Sequence, residues 1–497
     1  MSATLEADKT LMDPAIWDDK LFLGGWVNGS GELADVTDKA TGEVLAHVAV
    51  ATVEEVNKAC EAAAKAAPAW AATPAEERAG VVRRAGELLL QQYEDEAVYW
   101  LIREAGSTRF RAVFEVEQAA KHFAHSANSA LKAAEPTVVT DTEEMLSYYE
   151  RVPLGVVGVI GPFNFPFILS LRSVSAALAT GNTVVLKPSL NTAVSGGFLM
   201  ARLFEEAGLP KNALYVVPGE GPVGAALVEN PHVAMVALTG STNVGKKVGA
   251  AAGAALKRMS LELGGKNPFI VLPDADLEMA ARAGAFGSFL HQGQICMATG
   301  LHLVHESLAD EYAKRVAELG RELKVGDPWK EQVALGPIIN EKQLANIARI
   351  VQQTVAAGAE LIEGGTHEDL FYRPTVLNNV PKDSPAFKEE IFGPVVAIIP
   401  WKTEEEALEM ANGTGYGLTA AVFGELEHAR QVASRIDAGM VHVNDQTVME
   451  DARIPFGGTK QSGNCSRTGG DSALEEYTTF RWTTETRKPR RYALLNM

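Results

Sequence analysis

Two side chains near the middle of the chain are of the types needed for nucleophilic and acid–base chemistry. Cys296 lies in Gly293-Gln294-Ile295-Cys296-Met297-Ala298, among small and flexible residues that can present its sulfur to a cleft. Glu262 lies close to Gly264-Gly265, where the absence of side chains lets a ligand approach the backbone. A thiolate is a nucleophile and a carboxylate can act as a general base. Taken singly, a buried cysteine and a solvated glutamate are the commoner interpretations, so the assignment depends on context.

That context is a set of segments that resemble the signatures of one family. Leu261 to Pro268 resembles the glutamate signature of the aldehyde dehydrogenases, and Gly293 to Ala298 resembles their cysteine signature. The resemblance extends from about Val27 to Thr483. Further matching segments occur in the family's order: Pro162-Phe163-Asn164-Phe165-Pro166, Gly240-Ser241-Thr242-Asn243-Val244-Gly245, Glu389-Glu390-Ile391-Phe392-Gly393-Pro394 and Pro455-Phe456-Gly457-Gly458.

The resemblance implies a catalytic set of Cys296, Glu262 and Asn164. Cys296 would add to an aldehyde carbon as a thiohemiacetal, which becomes a thioester once hydride has passed to a nicotinamide cofactor. Asn164 and the N–H group of the cysteine would stabilise the oxyanion. Glu262 would activate water to hydrolyse the thioester. Family members that transfer the acyl group to coenzyme A lack this glutamate, so the expected product is the free acid.

The same resemblance implies a site for NAD or NADP. Its pyrophosphate would lie at Gly240 to Gly245, where a helix predicted to start near Asn243 offers free N–H groups. Gly219-Glu220-Gly221-Pro222-Val223-Gly224 also matches the dinucleotide pattern, but Glu220 would place a carboxylate beside the pyrophosphate. We interpret that second loop as a turn near the adenine. The residues expected to bind the cofactor are Ile160, Pro162, Phe163, Lys187, Ser189, Gly221, Gly240, Ser241, Val244, Glu390 and Phe392.

Leu190 departs from the family pattern. Many members carry a glutamate three residues after the lysine, whereas this chain reads Lys187-Pro188-Ser189-Leu190. That glutamate accepts hydrogen bonds from the adenosine ribose and repels a 2′-phosphate. Its absence predicts that both NAD and NADP serve as cofactors.

Two segments indicate an aromatic substrate. Val443 to Val448 and Phe165 to Ser173 resemble the benzaldehyde and vanillin dehydrogenase branch of the family. They predict an apolar slot for a flat ring, with Arg172 meeting a polar ring substituent or pairing on the surface. The slot residues, each of which could also be ordinary core, are Phe165, Leu169, Arg172, Ile295, Met297, Val448 and Met449.

Other functions stay open at this point. Within the family, a semialdehyde or an aliphatic aldehyde is the alternative substrate. A cysteine hydrolase would need a histidine base near Cys296, for which His291 is close in sequence. A non-catalytic binding or structural homologue would be expected to have lost Cys296 or Glu262, and both are present.

Composition limits the partners. The 497 residues include 63 Asp and Glu against 45 Lys and Arg, a net charge of −18 that disfavours nucleic acid and anionic membranes. Three cysteines and no zinc-like His/Cys spacing predict a reducing compartment and no metal. The segment Met1 to Lys20 has no apolar signal-peptide core, so we expect a cytoplasmic protein. The basic run Arg487 to Arg491 is interpreted as a solvated tail.

Short β-branched strands alternate with helices after Leu154, which predicts an α/β chain. The resemblance implies two doubly wound Rossmann-like domains and a small β oligomerisation flap. The expected boundaries are 1–132 and 152–262 for the NAD(P)-binding domain, 263–465 for the catalytic domain, and 133–151 with 466–497 for the flap. We expect the flap to be a two-stranded ribbon, 143–151 with 477–483, covered by another subunit in a homodimer or homotetramer.

The elements predicted from sequence pattern are as follows. The strands are Gly155–Ile160, Thr183–Leu186, Leu214–Val217, Met235–Leu238, Leu301–Val304, Ala334–Leu335, Thr375–Leu377, Val395–Ile399 and Val441–Asn444. The helices are Ser170–Thr180, Ala193–Ala207, Val223–Glu229 and Asp276–Leu290.

Overall fold

The first of two large sheets has a parallel centre whose strands are buried on both faces. The computed structural model describes residues 10–488. Apolar β-branched runs suit strands covered by helices on both sides, and every residue of Val156–Ile160 and Thr183–Lys187 is buried. The seven strands are, in spatial order, Arg258–Glu262, Val233–Thr239, Val156–Ile160, Thr183–Lys187, Leu214–Val216, Lys20–Leu23 and Trp26–Asn28, the last two antiparallel.

The order of these strands creates a switch point. From Val156–Ile160 the chain adds parallel strands on one side, then crosses to add Val233–Thr239 on the other. Ligands of doubly wound sheets bind beyond the carboxyl ends of the strands at such a point. Asn164 follows the end of Val156–Ile160, and Glu262 is the last residue of Arg258–Glu262.

The second large sheet repeats this design with different strands. Its centre is also parallel, and Asn267–Val271 lies between Thr299–His305 and Thr419–Phe423. The seven strands are, in spatial order, Glu360–Glu363, Thr375–Asn378, Val395–Trp401, Thr299–His305, Asn267–Val271, Thr419–Phe423 and Met440–Val443. Two helix-covered, mainly parallel sheets confirm the predicted α/β class.

Helices cover both sheets. The longest is Arg109–Ala133, which packs with Pro166–Ala179 against the first sheet and buries Phe123 and Phe167 in the same core. The others are Pro14–Trp17, Val53–Ala72, Ala75–Gln91, Glu94–Ala105, Leu199–Glu206, Gly221–Glu229, Thr242–Ala254, Leu277–Phe289, Ala309–Glu322, Glu341–Ala356, Pro385–Lys388, Glu404–Gly413, Leu426–Ala433 and Ser472–Tyr477. Within residues 10–488, no helix is both long enough and apolar enough to cross a membrane.

A separate antiparallel sheet corresponds to the predicted flap, with one strand more than expected. Met145–Pro153 pairs with Thr478–Thr486 on one side and with Thr137–Asp141 on the other. The two-stranded prediction is therefore wrong by one strand. Thr137–Asp141 is an exposed edge strand and lacks the buried alternation that marks a strand in sequence. Small pairs complete the sheets: Leu33–Thr37 with Val44–Ala49, His367–Glu368 with Phe371–Tyr372, and Tyr416–Gly417 with Thr459–Lys460.

Other predicted elements need correction. Ala334–Leu335 is not a strand, since only an isolated bridge joins Leu335 to Val325. The helix predicted from Ser170 begins at Pro166, because proline is well suited to the first turn, where its missing N–H group costs nothing.

The helix predicted over Ala193–Ala207 is divided into a π-helix, Val194–Phe198, and an α-helix, Leu199–Glu206. The buried carboxylate of Glu104 accepts the N–H groups of Val194 and Ser195 at 2.9 and 2.6 Å, which anchors the wider turn. Four sequence-based interpretations lie partly outside the described residues. The N-terminal segment and the range 1–132 include residues 1–9, and the basic run and the range 466–497 include residues from 489 onward.

Candidate active site

A cavity of about 740 Å³ lies beyond the carboxyl ends of the parallel strands of the first sheet. The structure brings every predicted cofactor-binding residue to its wall: Ile160, Pro162, Phe163, Lys187, Ser189, Gly221, Gly240, Ser241, Val244, Glu390 and Phe392. Asn164, Glu262 and Cys296 line the same cavity. Residues separated by more than two hundred positions therefore surround one space large enough for a dinucleotide.

The phosphate-binding loop predicted at Gly240 to Gly245 leads into a helix. Ser241 is the N-cap of Thr242–Ala254, and its Oγ accepts the N–H group of Val244 at 3.4 Å. The other N–H groups of this first turn are available to an anion. Gly245 lets the helix pack closely, because a Cβ there would lie 2.4 Å from the Leu263 side chain.

The second glycine loop lies on the opposite side of the cavity and contacts Lys187. The Lys187 ammonium donates to the carbonyl oxygens of Gly219 and Pro188 at 2.7 and 3.0 Å. Burial lowers the pKa of Lys187 to about 8, although the charge of Glu220 opposes the shift. Leu190 also lines the cavity, so an aliphatic side chain faces this space close to Lys187 and Ser189.

Glu390 and Phe392 form the end of the cavity nearest the cysteine. The Glu390 carboxylate accepts the N–H group of Gly265 at 3.1 Å, and burial raises its pKa to about 7. A Cβ at Gly264 would lie 2.2 Å from this carboxylate, so a larger residue there would displace the Glu390 side chain. The Phe392 ring packs edge-on against Phe163, with 5.7 Å between ring centres.

The cysteine loop is held in an uncommon backbone conformation. His291, Gln292 and Gly293 have φ values of 49°, 55° and 67°, the left-handed region that non-glycine residues rarely adopt. Gln292 fixes the turn by donating to the carbonyl oxygens of Gly106 and Pro337 at 3.1 and 2.8 Å. Such strain persists where the surroundings fix it, and it is common at active sites.

Asn267 holds the other side of this loop. Its side-chain amide donates to the carbonyl oxygens of Cys296 and Ala298 at 2.8 and 2.7 Å. Together with the turn before it, this anchor fixes where Cys296 presents its sulfur.

Asn164 is fixed from two directions. Its Nδ2 donates to the carbonyl oxygen of Gln294 at 2.9 Å, which ties it to the cysteine loop. The buried Arg111 guanidinium donates to the Asn164 carbonyl oxygen and to Ser107 Oγ. A second N–H group on Asn164 Nδ2 is thereby left for the cavity that Asn164 and Cys296 share.

Glu262 is a buried carboxylate, and neither of its oxygens has a hydrogen-bond partner within the part of the chain that the structure describes. Burial raises its pKa to about 8, while the charges of Arg172 and Arg467 oppose the shift. A buried carboxylate without hydrogen bonds reduces the stability of the fold. Such an environment is typical of a group that accepts or donates a proton in catalysis.

The resting form of Cys296 is the thiol. Burial raises its pKa to about 12, the charges of Glu390, Glu262 and Glu450 add to the shift, and Arg172 opposes it.

A second cavity, of about 220 Å³, opens on the same cysteine. Six predicted slot residues line it: Phe165, Leu169, Ile295, Met297, Val448 and Met449. Arg172 is not among the described residues that form its wall. It lies behind Phe456, with its Cζ atom 4.6 Å from the ring centre.

The comparison with protein families assigns the chain. Residues 26–483 match the model of the aldehyde dehydrogenase family. The chain belongs to the aldehyde dehydrogenase family. It is therefore an NAD(P)-dependent oxidoreductase that acts on aldehydes.

Individual aldehyde dehydrogenases resemble this chain along nearly its whole length. A vanillin dehydrogenase from an Amycolatopsis species is 48% identical over 96% of this chain and 98% of that protein. A benzaldehyde dehydrogenase [NAD(+)] from Pseudomonas putida is 44% identical over the same shares of the two chains. The crystal structure of an NADP-dependent glyceraldehyde-3-phosphate dehydrogenase from Bacillus halodurans, complexed with NADP, matches with a TM-score of 0.90 and 32% identity, over 95% of this chain and 100% of that one.

Sequence reasoning missed part of this aldehyde dehydrogenase's second cavity. The missed lining residues are Phe110, Arg111, Phe114, Glu115, Ile168, Phe286, Leu290, Gln446, Glu450 and Phe456. Phe110, Arg111, Phe114 and Glu115 occur at helical spacing in the first turns of Arg109–Ala133, so an aromatic pair and a charge pair share one helix face. Glu450 directly follows Val448 and Met449, which were predicted to line the slot. A prediction one residue longer would have included it.

Proposed function

We propose that this enzyme oxidises aromatic aldehydes to free carboxylic acids with NAD or NADP as hydride acceptor. The observation that carries the proposal is that Cys296 lies where the two cavities meet. One cavity has the size and loops for a dinucleotide, and the other is an apolar slot with aromatic walls.

The residues of the large cavity fit a nicotinamide dinucleotide. Ser241 and Val244 start a helix whose free N–H groups suit the pyrophosphate, and Glu390 suits the nicotinamide ribose. Bound NAD(P) supplies the acceptor for hydride. In this proposal the protein's part is to hold Cys296, Asn164 and Glu262 around the reacting carbon.

Cys296 acts as nucleophile after losing its proton, and Asn164 Nδ2 with the Cys296 N–H group stabilises the oxyanion that forms. Loss of hydride from this adduct leaves a thioester. Glu262 takes a proton from water, which attacks the thioester carbon and releases the acid and the thiolate. The carboxylate that lacks partners in the structure thus gains one during deacylation.

The apolar slot favours an aromatic aldehyde over a semialdehyde. Phe165, Ile295 and Phe456 offer flat or branched apolar surfaces to a ring. An aldehyde bearing a carboxylate would meet the Glu450 carboxylate, and Arg111 is already paired with Glu115 at 2.7 Å. A short aliphatic chain would leave the slot partly empty.

A cysteine hydrolase is less well supported. His291, the candidate base, packs edge-on against Phe165 with 5.5 Å between ring centres, and burial lowers its pKa well below the ordinary value. Within residues 10–488, no histidine is hydrogen bonded to Cys296.

The aromatic preference is tested with a substrate panel. Benzaldehyde should give a higher kcat/KM than acetaldehyde or succinic semialdehyde, measured by the absorbance of the reduced cofactor, with benzoate as the product. A clear preference for either of the other two would contradict the proposal.

Dual cofactor use rests on Leu190. A carboxylate about 4 Å from a phosphate interacts unfavourably by about 4 kcal/mol at an intermediate dielectric, and Leu190 imposes no such cost. Leu190→Glu should shift the ratio of kcat/KM toward NAD by roughly tenfold or more, which needs about 1.4 kcal/mol. Leu190→Gln is the matched control, because glutamine has the shape of glutamate without its charge. It should shift the ratio of kcat/KM toward NAD less than Leu190→Glu does. If the wild-type enzyme rejects NADP a thousandfold, another group guards the 2′ position.

The domain boundaries, the oligomer and the location complete the proposal. The first sheet falls within residues 1–132 and 152–262, and the second within 263–465, which supports assigning them to cofactor binding and catalysis. The three-stranded sheet supports a flap of 133–151 with 466–497 that joins subunits in a homodimer or homotetramer. All three cysteines are free thiols and Cys465 is exposed, which supports a reducing compartment, the cytoplasm.

A further inference from the structure

Among the described residues, the wall of the apolar slot contains one carboxylate with an oxygen that is neither hydrogen bonded nor ion paired. Among the polar side chains that line the slot, Gln446 is bound at both ends to the backbone of Val448. Glu115 accepts the N–H groups of Phe167 and Ile168 and pairs with Arg111. Glu450 differs from Glu115, whose Oε2 forms the ion pair with Arg111, because Glu450 Oε2 has neither a hydrogen bond nor an ion pair among the residues that the structure describes.

Glu450 is held in the ionised form by groups behind the slot. The Nε2 atom of buried His122 donates to Glu450 Oε1 at 3.0 Å. Burial raises the pKa of Glu450, but the hydrogen bond from His122 and the charges of His122 and Arg172 outweigh it, so the pKa lies below its ordinary value. An ionised carboxylate has acceptor capacity only, so its free oxygen requires a donor.

The slot can therefore bind a polar group on the substrate as well as an apolar ring. We propose that Glu450 is a specificity-determining residue that accepts a hydrogen bond from a hydroxyl group on the substrate ring. The inference rests on the proposed oxidation of aromatic aldehydes and narrows it to phenolic ones. It also assigns the polar contact to an anionic group, whereas the sequence had suggested Arg172.

Two physical effects favour a ring with a hydroxyl group over a ring without one. A phenolic O–H group bound to a carboxylate forms a short, charge-assisted hydrogen bond. A ring that carries hydrogen or a methoxy group in the same place covers the carboxylate without pairing it. A site built to bind a hydroxyl group rejects analogues that lack one, because its own polar group is left unpaired.

The test compares matched rings in matched variants. The substrates are benzaldehyde, 3- and 4-hydroxybenzaldehyde, and 3- and 4-methoxybenzaldehyde, which have similar shapes and differ in the donor. The wild-type enzyme should prefer one hydroxybenzaldehyde over its methoxy counterpart by at least tenfold in kcat/KM, which corresponds to about 1.4 kcal/mol. The position of the preferred hydroxyl group identifies the ring edge that faces Glu450.

Glu450→Gln and Glu450→Met should reduce that ratio by about tenfold or more, with the methionine variant reduced further because it has no acceptor oxygen. Using the ratio cancels any general effect of the substitution on catalysis or on the amount of folded enzyme. Glu117→Gln, the same change at an exposed carboxylate outside the slot, should leave the ratio unchanged.

The outcomes separate the two proposals. Equal hydroxy-to-methoxy ratios in the wild-type enzyme and in both Glu450 variants overturn this inference, while activity on benzaldehyde keeps the proposed function. Failure of the wild-type enzyme to oxidise any of the aromatic aldehydes overturns the proposed function and this inference with it.

Discussion

At the scale of single residues, the surroundings of Cys296 disfavour the thiolate, which is the form that acts as nucleophile in the proposed reaction. Burial raises the pKa of the thiol to about 12, and the neighbouring carboxylates add to the effect. Arg172 is the cation that opposes them, and two of its nitrogens are buried without a hydrogen-bond partner in the part of the chain that the structure describes. We therefore expect the thiolate to form once the reactants have bound.

Cys296→Ser should lower dehydrogenase activity by at least a thousandfold, because a hydroxyl group is a far weaker nucleophile than a thiolate. Cofactor binding, measured by titration calorimetry, should be retained, since the loops of the large cavity are unchanged. Cys465→Ser is the matched control: this exposed cysteine should be replaceable with little loss of activity. Activity of Cys296→Ser within tenfold of wild type would remove the residue from its assigned role.

Glu262→Gln should slow steady-state turnover more than the first turnover. Deacylation follows hydride transfer, so a missing base stops the enzyme after one round of cofactor reduction. Rapid mixing should therefore show a burst of reduced cofactor close to one per active site. Equal slowing of the burst and the steady state would give Glu262 an earlier role, such as activating the thiol.

The pH dependence of turnover should report the same residue. The pKa of Glu262 is raised to about 8, and only the carboxylate above that pH can accept a proton from water. We therefore expect kcat to rise with pH through about 8 and then level off when deacylation limits the rate. The residual activity of Glu262→Gln should lack this rise, and an identical profile in both proteins would contradict the assignment.

Residues tied to a recurring backbone motif were predictable from sequence, and those that depend on packing were not. Asn164, Gly240 and Glu390 belong to segments with family spacing, and the structure gathers them around one cavity. Arg172 was expected in the slot because its type suits a polar ring substituent, but the helix Pro166–Ala179 directs it behind Phe456. Which face of a helix meets a cavity depends on neighbours that no local pattern encodes.

At the scale of elements, a buried ion pair links two helices to the proposed oxyanion site. Arg111 and Glu115 are neighbours on Arg109–Ala133, and both are essentially inaccessible to solvent. Glu115 caps the first turn of Pro166–Ala179, while Arg111 reaches the carbonyl oxygen of Asn164. The pair thus positions Asn164 through the junction of the two helices.

Glu115→Ala should destabilise the protein by about 3–5 kcal/mol in urea unfolding, because it leaves the Arg111 charge buried without its partner. The double variant Arg111→Met/Glu115→Leu should recover part of that stability, since no unpaired charge remains. The kcat of the double variant should be low, because it lacks Arg111, which anchors Asn164. Glu117→Gln, an exposed change on the same helix, is the control for both measurements.

Recovery of both stability and kcat in the double variant would show that the pair has no positioning role.

The accuracy of element prediction followed burial. Val156–Ile160 and Val395–Trp401 are central strands with continuous apolar runs, and both were predicted near their true limits. Thr137–Asp141 is exposed at a sheet edge and was missed. Ala334–Leu335 is apolar enough for a strand, yet it forms only a single bridge, because a strand also needs a neighbour in register.

At the scale of the whole molecule, the three-stranded sheet has an aromatic face without cover in the described chain. Phe480 and Trp482 are 54% and 73% exposed. They lie two residues apart in Thr478–Thr486 and so share one face with Tyr149, whose ring is 5.4 Å from that of Phe480. Exposed apolar clusters of this kind mark contact surfaces.

Phe480→Lys/Trp482→Lys should therefore shift the protein toward the monomer, because it places two charges in the proposed subunit contact. Sedimentation velocity over a dilution series should show wild-type dimers or tetramers and smaller species for the variant. Thr479→Lys places one lysine on the opposite face of the same strand and should leave the mass unchanged. A wild-type monomer, or equal masses for all three proteins, would contradict the contact.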